Sequence, residues 1–311
     1  MPDPIGAAAN RLAAVDVGSN TVHVLVADAR EHSGEPSLDD VAHYVETPLL
    51  GAEVARTGRI GPDKSEETIA ALRSVLGRAA LHGYGLLVAG ATAAVRRAAD
   101  GAEFLARASD EIGTPVRLIS EKREAELSFE GVAGRHAVQD RWLMADVGGG
   151  STEVVVAHER HMEGWVSLEL GSGSYAERFL SDPPGPGERE RLRAAAFERV
   201  RDAPEAAVRK LVVTGGTASN LPLVIAPGRR LELVRVTDLT EAAQRLDAAP
   251  AAESAERFGL PEARVRALRG GVEILLLLLD HYGLDSFEVS YEGLRHGMLL
   301  AYLRCGDDWW R

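Results

Sequence analysis

Three short glycine-rich segments have the residue types needed to wrap a polypeptide backbone around an anion. They are Asp16-Val17-Gly18-Ser19-Asn20, Asp146-Val147-Gly148-Gly149-Gly150-Ser151 and Gly215-Gly216-Thr217. Glycine lets the chain approach a ligand closely and turn in ways other residues cannot. Successive N–H groups in such a turn form a nest for phosphate oxygens. An aspartate at the end of the preceding strand can hold a hydrated Mg²⁺ (or Mn²⁺) that bridges the same phosphates. One turn of this kind is most often only a β-turn, in which the aspartate accepts local backbone N–H groups. Two turns opening on the same Asp-Val-Gly, with a third glycine pair, point to phosphate. Ser19, Asn20, Ser151 and Thr217 are then hydrogen-bond donors to it, and Asp16 and Asp146 the carboxylates nearest the cation.

Other phosphate chemistries lack their motifs. There is no G-x-x-x-x-G-K-[ST] P-loop and no strand–G-x-G-x-x-G–helix unit. Gly171-Ser172-Gly173-Ser174 is not a nucleophile elbow. His158-Glu159-Arg160-His161 lacks the H-E-x-x-H spacing of a zinc helix and reads as a polar hairpin turn.

The elements around these segments form a repeat. Leu12–Val15 is an apolar strand, and after the first turn Thr21–Val26 is a β-branched strand. Trp142–Ala145, the second turn and Thr152–Ala157 repeat the order strand, Asp-Val-Gly, polar turn, valine-rich strand. Repetition of a supersecondary unit governs the fold assignment. It predicts two α/β domains of similar architecture, residues 1–132 and 133–311, facing one another across a cleft. Helices are expected over Ser65–Leu81 with Ser65 as cap, over Glu121–Val132, over the arginine-rich Glu188–Arg201 and over Val265–Tyr282. Leu86–Ala89, Pro115–Ile119, Leu211–Thr214 and Phe287–Ser290 are short buried strands, the third of them ending in the Gly215 turn.

Composition narrows the function classes. The chain has 311 residues and a net charge of −12. Such an acidic protein is not a general nucleic-acid coat, which needs a basic face to neutralise phosphates. A locally positive pocket for a small polyanion remains compatible with it. Cys305 is the only cysteine, so no intrachain disulfide and no cysteine-cluster metal site can form. Ile274–Leu279 is far shorter than the ~20 apolar residues that span a bilayer. Met1–Asn10 has neither the basic start nor the apolar run of a signal peptide. The expectation is a cytoplasmic protein with no membrane or nucleic-acid partner.

Taken in order, Ala14–Val26, Ala91-Thr92-Ala93-Ala94-Val95-Arg96-Arg97-Ala98, Ile119-Ser120 with Glu124-Ala125, and Asp146–Glu153 resemble successive motifs of the exopolyphosphatase / guanosine pentaphosphate phosphohydrolase (Ppx/GppA) family. Gly215-Gly216-Thr217 and Ser290-x-x-Gly293-Leu294-Arg295-x-Gly297 extend the resemblance over essentially the whole chain. It implies two actin-like (ribonuclease H-like) domains of the acetate and sugar kinase / heat-shock ATPase / actin superfamily. It implies that Glu124 activates the attacking water, that Glu153 belongs with Asp16 and Asp146 to the metal centre, and that Arg96 binds the terminal phosphate. Two residues depart from the family's pattern. Glu121 stands where a glycine is usual after Ile-Ser, and Arg123 where a second glutamate is usual. Lys122 and Arg123 thus make the start of that helix basic. Many relatives also carry an additional C-terminal helical region, whereas here the sequence ends at Arg311.

The expected function is therefore an Mg²⁺-assisted exopolyphosphatase that releases orthophosphate from the end of inorganic polyphosphate. pppGpp 5′-phosphohydrolysis is the alternative substrate activity, and a non-catalytic nucleotide or polyphosphate sensor the alternative class. The resemblance also implies a homodimer, and Trp309-Trp310 is either a packing tail or a contact within it.

Overall fold

The computed structural model describes residues 10–32, 34–136 and 138–311. The chain forms two compact units. One comprises the residues up to Gly134 together with Glu292–Arg311, and the other Arg135–Tyr291.

The first unit contains β1 Arg11–Val17, β2 Val22–His32, β3 Glu35–Glu46, α1 Leu50–Thr57, α2 Pro62–Ala80, β4 Leu86–Ala91, α3 Ala93–Arg97, α4 Gly101–Ile112, β5 Val116–Leu118 and α5 Glu121–His136. Its sheet has the order β3-β2-β1-β4-β5, with β1 antiparallel to β2 and parallel to β4. Side chains alternate across a sheet, and here both faces are covered. Val15, Val17, Val22 and Val24 pack with the α2 residues Ile69, Leu72 and Val75. Ala14, Leu25, Ala27 and Val88 pack on the opposite face with Met298 and Leu299. Burial of both faces is why Leu12–Val15 reads as an unbroken apolar run. Helix α2 begins at Pro62 after Gly61, not at Ser65. A proline in the first turn lacks only an N–H that has no helical partner there.

The second unit contains β6 Arg141–Val147, β7 Thr152–His158, β8 His161–Leu168, α6 Ser172–Phe179, α7 Glu188–Val200, β9 Leu211–Thr214, α8 Gly215–Ile225, β10 Leu233–Arg235, α9 Val236–Asp247, α10 Ala251–Phe258, α11 Glu262–Tyr282 and β11 Ser286–Val289. Its sheet order is β10-β11-β9-β6-β7-β8. From β8 inward, this is the first sheet's order with β10 added at the far edge. Both units are thus actin-like. The final helix, α12 Leu294–Cys305, is followed by a short 3₁₀ turn, Gly306–Asp308. A split at residue 132 assigns α12 to the second domain, but it belongs to the first unit. Leu294, Met298 and Leu299 supply apolar surface to the sheet face formed by Leu12, Ala14 and Leu25. Trp309 is 4% exposed within that same core, so it is an internal packing residue of the chain.

Helix α5 runs past Gly131 to His136 instead of ending at Val132. Gly131 is there for contact: a Cβ on it would lie 2.2 Å from the Gly293 carbonyl oxygen.

A buried ion network braces the second unit. Arg269, 1% exposed, donates to the Leu246 carbonyl at 2.9 Å, the Ala249 carbonyl at 2.9 Å and Asp182 Oδ1 at 2.7 Å. Burial pushes the Asp182 carboxyl up, but hydrogen bonds from Arg269 and the Ala251 N–H, with the Arg269 and Arg266 charges, hold it below the usual carboxylate range. Arg269→Met takes this donor from the buried Leu246 and Ala249 carbonyls and leaves Asp182 only the Ala251 N–H and Arg266. The expected loss is about 3–5 kcal/mol of unfolding free energy, measured by urea titration at neutral pH. A carboxyl lowered by folding stabilises above its unfolded pKa and ceases to do so as pH falls through its folded pKa. The variant's deficit should therefore shrink as pH is lowered through the acid range.

Candidate active site

In the first unit, the chemistry gathers at the start of α5. Ser120 Oγ accepts the Arg123 N–H at 3.2 Å, and its carbonyl accepts the Glu124 N–H at 2.8 Å. Glu124 thus sits in the first helical turn, where the positive end of the helix dipole favours a carboxylate. It is 7% exposed. Arg96 Nη1 donates to Glu124 Oε2 at 3.0 Å and to the Ile119 carbonyl at 2.7 Å. Arg96 projects from the short helix α3 directly after β4, and Ile119 directly after β5. Two neighbouring strand ends therefore deliver the pair. Glu121 lies 3.7 Å from Arg96 Nη2 on the exposed side.

The first glycine turn joins β1 and β2 and is closed by the Gly18 N–H donating to the Thr21 carbonyl at 2.9 Å. Its outer carbonyls are tied down: Ser19 O accepts the Gly51 N–H at 2.6 Å and Asn20 O the Leu49 N–H at 3.1 Å. Gly51 has no room for a side chain, since its Cβ would lie 2.8 Å from Ser19 Cβ. Asp16, the last residue but one of β1, lies opposite His23. Arg295, on the first turn of α12, brings Nη1 to 4.0 Å from Asp16 Oδ2.

In the second unit, the equivalent turn is closed by the Gly148 N–H to the Ser151 carbonyl at 3.0 Å. Here too the carbonyls are occupied. Gly148 O accepts the Ser172 N–H at 2.9 Å, and Gly149 O the Gly173 and Ser174 N–H groups at 3.1 and 3.0 Å. The start of α6, Gly171–Ser174, is therefore the brace of this turn. Asp146 pairs with Glu153 across β6 and β7, in the register that sets Asp16 opposite His23 in the first unit. Glu153 is 2% exposed and accepts Ser167 Oγ at 2.8 Å.

Gly215-Gly216-Thr217 is not a turn after β9 but the first turn of α8, a helix N-terminus of the kind that binds phosphate. Gly215 has φ +89°, and a Cβ there would fall 2.4 Å from Asp146 Oδ1. Thr217, 1% exposed, spends its hydroxyl on the Val147 carbonyl at 3.1 Å. It fixes the helix to β6 and is not a free donor.

A family profile decides what this assembly belongs to. The profile of the Ppx/GppA phosphatase family matches residues 25–304. The chain belongs to this family. It is a phosphatase acting on phosphoanhydride bonds. The chain is 27% identical to the Aquifex aeolicus Ppx/GppA phosphatase, with a TM-score of 0.71, over 94% of this chain and 98% of that one. A second Aquifex aeolicus family structure gives 26% identity and a TM-score of 0.77, over 96% of this chain and 98% of the other. An exopolyphosphatase from Cytophaga hutchinsonii shares the fold at a TM-score of 0.83 and 22% identity, over 94% of this chain and 98% of that one.

Ppx/GppA phosphatases depend on a divalent metal. Among the described residues, no group of three or more His, Cys, Asp or Glu side chains could hold a metal ion by itself. The facing carboxylates Asp146 and Glu153 nevertheless fit Mg²⁺. That ion prefers hard oxygen donors and commonly takes one or two carboxylates, several waters and substrate phosphates.

Two arginines matter beyond those singled out from the sequence. Arg295 was part of a motif with no assigned role. Arg264, on α11, has its guanidinium carbon 3.0 Å from where a Gly216 Cβ would be. Burial pulls its guanidinium below the usual arginine range. Among the described residues, its guanidinium has no ion pair and no hydrogen bond. A half-buried cation beside a glycine helix N-terminus matches a phosphate, and no sequence spacing ties residue 264 to 216. Conversely, Arg123 does not extend toward a ligand. It donates through Nε and Nη2 to the Trp309 carbonyl at 2.9 and 2.7 Å and pairs with Glu126 at 3.1 Å.

Proposed function

We propose that the protein is an exopolyphosphatase that removes terminal orthophosphate from inorganic polyphosphate, with pppGpp as the alternative substrate. The observation that carries this reading is the buried Glu124 carboxylate held by Arg96 at 3.0 Å in the first turn of α5, in a chain of this phosphatase family. Water hydrogen-bonded to Glu124 attacks the terminal phosphorus. A bond forms from water oxygen to phosphorus, and the bridging P–O bond breaks. The shortened chain leaves with the electron pair, and the water proton passes to the carboxylate. A base held in place by a second group is a common source of rate enhancement. Arg96 fixes that carboxylate and carries positive charge against the phosphoryl oxygens as negative charge develops on them.

The glycine turns at Gly18–Asn20 and Gly148–Ser151, with Gly215, Gly216 and Arg264, bind phosphate oxygens. Their tied-down carbonyls support this, because the turns are held without help from a ligand. Asp146 and Glu153 would hold Mg²⁺, with Asp16 the corresponding carboxylate of the first unit. When bound, Mg²⁺ neutralises phosphate charge and polarises the bond to be broken. Phosphate release measured side by side from polyphosphates of several lengths, pppGpp and ATP tests the assignment. Preference for pppGpp over every polyphosphate would replace it with the alternative.

Hydrolysis of long chains is expected to be distributive or weakly processive. In the two basic stretches that could follow distal phosphates, three arginines are already held by the protein itself. Arg189 and Arg193 of α7 each bond Glu273 at 2.7 Å, and Arg123 is bound to Trp309 and Glu126. Remote contacts that retain a partly shortened product are thereby few, on a chain of net charge −12. In a gel time course with excess substrate, the whole length distribution should move downward together. Full-length chains persisting beside orthophosphate, without intermediates, would contradict this.

A further inference from the structure

We propose that Asp40 is a positioning residue for hydrolysis, acting through His296 on Arg295, whose guanidinium lies against Asp16; this rests on the reading of Asp16 as part of the site. Strand β3 carries one residue more than its partner, because Ala42 faces Val26 while Asp40 faces Ala27. The extra residue is Val41. In an unbroken strand, residues three apart point to opposite faces. A bulge removes one step of that alternation and re-aims the side chain beside it. Asp40 and His43 therefore share a face, and His43 Nε2 lies 2.9 Å from Asp40 Oδ2. His43 faces Leu25 in the register, so this is also the sheet face on which α12 packs.

The other oxygen of Asp40 reaches α12. His296 Nε2 is 3.0 Å from Asp40 Oδ1. The Gly293 N–H donates to His296 Nδ1 at 3.3 Å. Because Nδ1 is an acceptor there, Nε2 carries the proton and donates to the carboxylate. One imidazole, 4% exposed, thus ties the first turn of α12 to β3. Burial pushes the Asp40 carboxyl up, but the hydrogen bonds from His296 and His43 hold it well below the usual carboxylate range. An ionised acceptor makes the stronger hydrogen bond to each ring.

The opposite side of α12 allows no slack. A Cβ on Gly297 would lie 1.8 Å from the Leu127 carbonyl oxygen, and one on Gly131 would lie 2.2 Å from the Gly293 carbonyl oxygen. The start of α12 is therefore pressed, backbone to backbone, against α5, the helix that carries Glu124. Asp40 holds it from the sheet side. Arg295 is the residue immediately before His296, and its guanidinium meets Asp16 at 4.0 Å. Fixing the imidazole fixes the point from which Arg295 departs. Asp40 touches no reacting group in this arrangement. It sets where the Arg295 guanidinium lies against Asp16.

The test is a double-mutant cycle on kcat/KM for phosphate release, using the substrate that the wild type turns over fastest. Asp40→Ala should lower kcat/KM about tenfold or more, toward the ~10²-fold that a misplacement of about 1 Å can cost. Asp40→Asn keeps an oxygen for the Nε2 proton and should restore most of the activity. In an Arg295→Ala background, Asp40→Ala should cost little more, because the group it positions is gone. An undiminished Asp40→Ala effect in that background, or an Asp40→Ala variant within twofold of wild type, overturns the proposal. Imidazole ¹⁵N NMR reads the geometry independently of turnover. It should give His296 as the Nε2–H tautomer in the wild type, with an altered signal in Asp40→Ala, and the Nδ1–H tautomer would overturn the link. Absence of phosphate release by the wild type from polyphosphate, pppGpp and ATP would instead remove the underlying reading of the site.

Discussion

Glu124→Gln is expected to lower turnover by about 10²–10⁴, the range typical for loss of a positioned general base, while substrate affinity stays close to wild type. The amide has nearly the carboxylate's shape. Its oxygen can still accept the Arg96 Nη1–H that now reaches Oε2 at 3.0 Å. The pair's geometry is thus retained, and only the capacity to take a proton is removed. Binding should survive because the glycine turns that would contact phosphate are built elsewhere and braced by their own hydrogen bonds. Single-turnover rates with equilibrium binding of a polyphosphate separate the two quantities. Near-normal turnover in Glu124→Gln, with loss of turnover in Glu153→Gln, would reverse the assigned roles. A large loss of affinity in Glu124→Gln would show that the carboxylate organises the phosphate site and not the water.

The sequence was informative where local chemistry dictates local structure. The two Asp-Val-Gly hairpins were legible because valine-rich strands flank turns of fixed length, and both form with equivalent closing hydrogen bonds. The third strands, β3 and β8, were not. Edge strands with mixed exposure, such as Glu35–Glu46, lack the apolar alternation that betrays a strand. Gly215-Gly216 appeared as a turn because glycine punctuates loops, yet the carbonyl and hydroxyl ties to β6 make it a helix start. The placement of α12 in the first unit was also hidden. Its apolar residues fit any apolar face, and only tertiary contact selects the one made by Leu12, Ala14 and Leu25. Among site residues, Arg96 and Glu124 are in contact as a pair, a relation that neither their spacing nor the separate roles implied by the resemblance contained. Arg264 and Arg295 gain their meaning from neighbours far away in the chain. Arg123 looked like added positive charge toward a substrate, and its guanidinium instead closes on the Trp309 carbonyl.

Hydrolysis should require Mg²⁺ or Mn²⁺, and two quite different substitutions should weaken that requirement's site in the same way. Asp146→Asn removes a hard anionic donor from the facing pair Asp146 and Glu153. Gly215→Ala changes no ionisable group at all. Yet its Cβ would lie 2.4 Å from Asp146 Oδ1, at a backbone φ of +89° that an L side chain adopts only with strain. Either the carboxylate or the start of α8 must move. Displacing a group that orients a metal-binding carboxylate typically costs about 10–100-fold in metal affinity or activity. The Mg²⁺ concentration for half-maximal phosphate release should rise by that factor in Gly215→Ala, and by at least as much in Asp146→Asn. Mn²⁺ titration followed by electron paramagnetic resonance, without substrate, reads the same change apart from catalysis. Full activity of metal-free wild type in excess chelator would remove the metal from the reaction. Unchanged Mg²⁺ dependence in Gly215→Ala, with Asp146→Asn impaired, would mean that α8 yields to the new methyl group and that Asp146 is held by its strand, not by the glycine beneath it.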